Sequence, residues 1–239
     1  MTGRRSCRGA GLRSGLVRLL VLWLCQQAVR AESDWQFWFD QAVGKDFSEK
    51  SSIRGAQSFR YSFDSGQLAT YYLEAGYTHH PRKWLDLAVS FRQQYDRRGD
   101  RWMEENRPFG DITLRWKTKP VTLSDRSRFE YRMREDQADV FRYRNKVTVQ
   151  RNRSLLREDM KPYVSAEGFV DEGLDLRERD RVRLAIGIKT DPEKHLLRFV
   201  RALPGRTLAM DYYVMTQRTE KDDQWVNEYI AAVQLGVHF

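Results

Sequence analysis

Cysteine, histidine and long apolar runs are scarce in this 239-residue chain, and each shortage excludes something. Both cysteines, Cys7 and Cys25, fall in the first 31 residues, so no disulfide framework holds the remainder together. No uninterrupted run of eighteen apolar residues occurs, which excludes a transmembrane helix. The histidines number four, none is set among other ligands at metal-binding spacing, and no glycine-rich loop is built to cradle a phosphate. No metal, cofactor or nucleotide is therefore expected. Pairs such as Glu104-Glu105 and Asp222-Asp223 read as ordinary loop charge.

Acidic residues are also absent from the first 31 positions, which carry six of the 42 lysines and arginines. Arg4, Arg5, Arg8, Arg13 and Arg18 form a basic head, Leu16 to Cys25 is apolar apart from Arg18, and Val29 and Ala31 are small residues ahead of Glu32. That is the order of a secretory signal peptide, expected at 1–31 with cleavage before Glu32. Arg4-Arg5 is not continued as a twin-arginine pattern, and Leu24 is too large to precede a lipidated cysteine. Without this segment the chain has 36 basic against 33 acidic residues, a net charge of +3. The apparent affinity for nucleic acid implied by +9 disappears with it, since no basic block interleaved with aromatics remains.

What the chain does have is alternation. From Trp35 onward, apolar and polar residues exchange at period two, strand after strand, with turn residues between and no long helical period. Trp35, Phe37, Phe39 and Val43 make the first apolar row, and Ile53, Phe59, Tyr61 and Phe63 the second, before a tight turn at Asp64-Ser65-Gly66. The contrast is sharpest where Phe129, Tyr131 and Met133 alternate with Arg128, Glu130, Arg132 and Arg134, and where Phe141, Tyr143 and Val147 alternate with Arg142, Arg144 and Lys146. Arg107 precedes a further such strand, Glu167 opposes Val164 and Val170, and Arg181 and Arg183 oppose Val182 and Leu184. Asp211 and Glu228 take polar positions in the last two strands.

The final strand carries Tyr229, Val233, Leu235, Val237 and the terminal Phe239 on one face. An apolar row ending in phenylalanine is the signal that outer-membrane barrels present to the barrel-assembly machinery, and about 9 to 11 residues suffice for a strand to span. The expected fold is all-β: residues 32–239 form a transmembrane antiparallel up-and-down β-barrel of about twelve strands, with ten as the alternative. Eleven strands are clear, an even number with both termini on the periplasmic side is the bacterial rule, and His195 to Ala202 is the candidate for the twelfth. A soluble secreted β-sandwich that binds a ligand is the other architecture compatible with period two. In a barrel, an arginine on the lipid face costs roughly 2 to 4 kcal/mol near the midplane, so the arginine rows must line the lumen.

Those rows resemble a family of bacterial outer-membrane proteins, domain of unknown function 2490. The resemblance is carried by Glu105-Asn106-Arg107, by Arg126-x-Arg128-Phe129-Glu130-Tyr131-Arg132, by Phe141-Arg142-Tyr143-Arg144, by Arg181-Val182-Arg183 ahead of Gly187, and by Asp211-Tyr212-Tyr213 with Gln217. The family usually has histidine where Asn106 stands, and Glu193 to Pro204 looks like an insertion. The resemblance implies a membrane barrel and no assigned activity.

Two readings of the lumen stay open. The arginines and acids form a salt-bridged structural plug, or unpaired guanidinium groups make a narrow pore preferring small anionic solutes. A lipid hydrolase with serine and histidine on the outer wall is a third possibility. It lacks support, because His79, His80, His195 and His238 sit in turns, loops or beside the terminus, and a non-enzyme is expected. The partners expected are outer-membrane lipid, the assembly machinery during insertion and, for a pore, a small anion. The expected setting is the outer membrane of a Gram-negative bacterium.

Overall fold

The structure, a computed structural model, describes residues 34–153, 160–172, 181–190, 207–221 and 224–239. The expected signal peptide, the candidate strand His195 to Ala202 and the insertion-like Glu193 to Pro204 lie outside the described residues.

Eleven strands run in chain order: β1 (Asp34–Ser48), β2 (Ser51–Ser62), β3 (Gln67–Arg82), β4 (Leu85–Arg98), β5 (Arg101–Lys117), β6 (Val121–Arg134), β7 (Val140–Arg151), β8 (Lys161–Glu172), β9 (Arg181–Thr190), β10 (Thr207–Lys221) and β11 (Gln224–His238). Each pairs antiparallel with its sequence neighbour, and β1 pairs with β11 to close a barrel. Eleven is within one of the expected twelve. The wall has no opening for another strand, because β9 pairs directly with β10 and β11 directly with β1.

An odd count has a topological consequence that corrects the expectation for the termini. In an up-and-down barrel of eleven strands the first and last run the same way, so β1 and β11 pair in parallel, with Asp34 opposite Glu228 and Gly44 opposite His238. The start of β1 and the end of β11 therefore lie at opposite mouths. The seam is fastened at both ends: Trp35 stacks on Tyr229 with ring centroids 5.2 Å apart, and His238 bonds Asp46 at 2.9 Å. Gly44 leaves room for the His238 ring, since a Cβ there would sit 2.5 Å from it.

A line of paired residues from Asp46 passes through Ser52, Thr78, Ala88, Asp111, Arg128, Arg144, Phe169, Arg181 and Thr219 to Val226, two residues short of the partner of Asp34. One circuit thus displaces the chain by roughly 14 residues. Strands about 4.8 Å apart and rising ~3.3 Å per residue must then tilt about 40° from the axis to close.

Alternation decides the faces. Leu73, Val89, Ile112, Val164, Leu184, Ile186 and Val214 point outward and are exposed. Aromatic residues gather at both rims of this apolar surface: Trp35, Tyr61, Phe63, Trp102, Tyr131, Phe141 and Trp225 at the mouth where β1 begins, and Phe47, Trp84, Trp116 and Phe239 at the other. Polar residues on the outer wall are few and bond sideways: Gln57 to Gln41, Gln93 and Asn106 to Glu104, Asn145 to Asp125. The polar residues go inside, which is the inverse of a soluble sandwich, and that alternative is set aside.

Candidate functional site

The interior divides into two parts. Beside the seam, Trp38, Met215, Ile230 and Ala232 pack into an apolar wedge, joined by Ala185 and Tyr213. Trp38 lies on the polar side of the β1 alternation, which is why it enters the lumen when Trp35 and Phe37 face out. The rest is filled by arginines and carboxylates from β3 to β9.

Cross-strand register alone sets like charges against each other. Arg92 pairs with Arg107 and Arg128 with Arg144, arrangements that repel when nothing intervenes. Carboxylates reaching from neighbouring positions remove the conflict. Glu130, fully buried, holds Arg144 at 2.9 Å, Arg107 at 3.4 Å and Arg128 at 3.7 Å. Glu105 holds Arg107 at 2.6 Å and takes Arg132 in two bonds of 2.5 and 2.7 Å. Asp111 accepts two bonds from Arg128, at 2.6 and 2.7 Å, and Asp171 receives Arg142 as a fork and Arg132 at 3.6 Å. Glu74 bridges Arg92 at 2.6 Å and Arg54 at 3.1 Å. Forked bonds of this kind suit the planar guanidinium and are among the stronger charged contacts.

Aromatic rings supply the remaining contacts. Arg128 lies 3.8 Å over Phe109, Arg92 lies 3.9 Å over Tyr72, and Phe169 is flanked by Arg144 at 4.6 Å and Arg183 at 4.7 Å. Arg60 lies 4.0 Å over Trp38. Such stacking holds a cation over an apolar surface without an ion pair.

The structure brings together Arg107, Arg128, Glu130, Arg132, Arg142, Arg144, Glu167 and Arg183 as one network. Arg134 differs: it sits at the rim and donates to the Ala138 carbonyl of the β6–β7 connection. Asp211 accepts from the Tyr163 hydroxyl, apart from the network, whereas Glu228 joins it through Gln217, which donates to Glu228 and accepts from Arg183 at 2.6 Å. Lys146 and Arg181 line the lumen without an ion pair among the described residues. Tyr229, Val233, Leu235 and Val237 lie on the face of β11 opposite the buried Ile230 and Ala232, and Phe239 is exposed at its end.

Sequence reading omitted Glu105, Asp171 and Arg60 from the site. Period two places each on an inward face, but nothing in one strand tells which neighbour it meets. It also missed an arrangement at the β3–β4 end. Ser52 Oγ lies 3.1 Å from His80 Nε2, and His80 Nδ1 lies 2.8 Å from Asp86, with Arg115 also on Asp86. Alternation already places Ser52, His80 and Asp86 on inward faces, and the pairing of His79 with Leu87 sets the next residues along, His80 and Asp86, side by side. This chain of bonds ties three strands, β2, β3 and β4, at the rim. Asn106 faces outward and donates to Glu104 at 2.8 Å, away from the lumen. His195 lies outside the described residues.

What the network leaves unfilled is a cavity of about 430 Å3, lined by Trp38, Asp40, Arg60, Lys146, Glu167 and Arg183 among others. Among the described residues no cluster of three or more His, Cys, Asp or Glu side chains is arranged to hold a metal ion.

A family model described as "Protein of unknown function (DUF2490)" matches residues 35–199. No curated protein matches the chain. One solved chain, described as "Unveiling the Mechanism Behind the in-meso Crystallization of Membrane Proteins", aligns at 14% identity over 78% of this chain and 71% of that chain, with a TM-score of 0.36. A likeness that low carries no argument.

Proposed function

The chain belongs to this family of proteins of unknown function, DUF2490, and on that premise we propose that it is a non-enzymatic integral barrel of the Gram-negative outer membrane. Its arginine rows serve as a structural plug. Support for the location comes from the apolar outer wall with aromatic residues at both rims, the pattern that suits a lipid slab bounded by two interfaces.

The single observation that carries the plug over the open pore is the multiplicity of the carboxylates. Glu105, Glu130, Glu167 and Asp171 each bind two or three arginines, and every arginine of β5 and β6 that enters this network is held by at least one of them or by Asp111. A selectivity device needs guanidinium groups with free valence facing the pathway. One observation favours the narrow anion-preferring pore as a second reading: Arg60 and Lys146 line the cavity with no carboxylate within 4 Å among the described residues.

Membrane fractionation of cells making the full chain tests the reading, with heat-modifiable mobility on gels as the sign of a folded barrel. Recovery of a compact form in the outer membrane, without faster uptake of small anions, supports it. A soluble periplasmic product, or a clear rise in anion uptake, contradicts it.

A further inference from the structure

The lumenal cavity is unevenly furnished. On the β6–β9 side four cations converge on Glu167: Arg144 at 2.7 Å, Arg126 at 2.9 Å, Arg183 at 3.5 Å, and Lys146, which faces the same carboxylate without an ion pair. One carboxylate cannot neutralise four cations. Arg144 is shared with Glu130, and the other three have no second carboxylate within 4 Å among the described residues. This wall presents unused positive charge to the cavity.

Across the seam strands carboxylates face the cavity, with Lys189, the β9 partner of Asp211, as the cation beside them. Asp211 on β10, Gln234 on β11 and Asp40 on β1 are direct cross-strand partners, and all three line the cavity as a level row of acceptors. Asp40 makes no hydrogen bond or ion pair among the described residues. The bond that Asp211 receives comes from Tyr163. Among the described residues nine buried side-chain polar atoms lack a partner, and six of them belong to Asp40, Arg60, Arg126, Arg144, Arg181 and Asp211, all of which line this one cavity. Asp40 on one wall and Lys146 on the other face this one space without an ion pair among the described residues, an arrangement that suits a molecule with both an acceptor and a donor end.

We propose that the cavity is a binding site for a small zwitterion, bearing an oxyanion at one end and an ammonium at the other. The oxyanion sits against Lys146, Arg126 and Arg183. The ammonium sits against Asp40 and Asp211. At about 430 Å3 the space holds roughly fourteen waters at ~30 Å3 each, within the usual range for small-molecule sites. Electrostatics sets the class: a dianion meets the Asp40–Asp211 row, a dication meets the four cations on Glu167, and a zwitterion matches both. The site rests on the lumen geometry and holds whether or not the barrel conducts.

Isothermal titration of the refolded full chain in detergent tests this with three four-carbon probes: 4-aminobutyrate, succinate and 1,4-diaminobutane. The expected result is 4-aminobutyrate binding at least tenfold tighter than either other probe. Asp40→Asn and Lys146→Gln remove no hydrogen bond or ion pair among the described residues, so both variants should fold, as circular dichroism and gel mobility report. Each should weaken 4-aminobutyrate at least tenfold, and Asp40→Asn should leave succinate unchanged or tighter. Succinate binding as tightly as 4-aminobutyrate to the native chain overturns the proposal in favour of a simple anion site. Binding of none of the three overturns it in favour of a cavity filled by water alone, and undiminished binding by both folded variants places the site elsewhere.

Discussion

Glu130→Gln is the substitution that measures what the lumenal network is. Glu130 is fully buried and contacts Arg144, Arg107 and Arg128 at 2.9, 3.4 and 3.7 Å. Glutamine keeps the shape and removes the charge. Breaking a buried ion pair by deleting one partner costs about 3 to 5 kcal/mol, chiefly through the charge left behind. Here each cation keeps another carboxylate: Arg144 has Glu167 at 2.7 Å, Arg107 has Glu105 at 2.6 Å, and Arg128 has Asp111 at 2.6 Å. No guanidinium is stranded, so the loss belongs at the low end, about 3 kcal/mol. Asp171→Asn is the comparison, because it leaves Arg142 with no carboxylate within 4 Å among the described residues and should cost nearer ~5 kcal/mol. The assay is urea unfolding of the refolded barrel in detergent micelles, followed by tryptophan fluorescence. A closely paired network keeps the penalty in ~1 M salt, where charges exposed to water are screened within about 3 Å. A loss under ~1 kcal/mol, or one that disappears in high salt, would mean that water already solvates these arginines and the plug is wrong.

Other substitutions probe the wall and the seam. Leu184→Arg puts a guanidinium on the outer face of β9 and should cost about 2 to 4 kcal/mol of barrel stability in lipid, read by the same unfolding assay in liposomes. No loss there would remove lipid from the outer wall. Gly187→Ala builds a Cβ 2.6 Å from the Tyr163 ring and should cost about 1 to 3 kcal/mol by displacing it, visible as a lower urea midpoint. Deleting Phe239 removes its backbone bonds to Gly44 and Asp46 at the parallel seam. Slower folding into liposomes, measured by gel mobility over time, is the expected outcome.

Much of the architecture was legible because period two is a local property. Phe129, Tyr131 and Phe141 declare the outer wall, and the arginines between them declare the lumen, from one strand at a time. The turn at Asp64-Ser65-Gly66 was equally plain, since Gly66 adopts a positive φ of 64°. What one strand cannot state is its register against the next. The three-way sharing of Glu130 arises from the β5–β6 and β6–β7 offsets, and the Ser52–His80–Asp86 line from the β2–β3 and β3–β4 offsets, so neither is written in any single segment. The parallel seam escaped for a similar reason. It depends on the parity of the strand count and on Gly44 leaving room for His238, not on the composition of β1 or β11. Trp38 was assigned no role because the greasy neighbours Trp35, Phe37 and Phe39 defined the row, although its own parity already placed it inside.

Single-channel recording of the refolded chain in a planar bilayer, with the reversal potential taken under a salt gradient, tests the closed lumen most directly. With folding verified by gel mobility, the salt-bridged plug predicts a silent bilayer at moderate voltage. Stable anion-selective steps that weaken in Arg132→Ala and Arg144→Ala would contradict it, and would make the arginine rows a selectivity device.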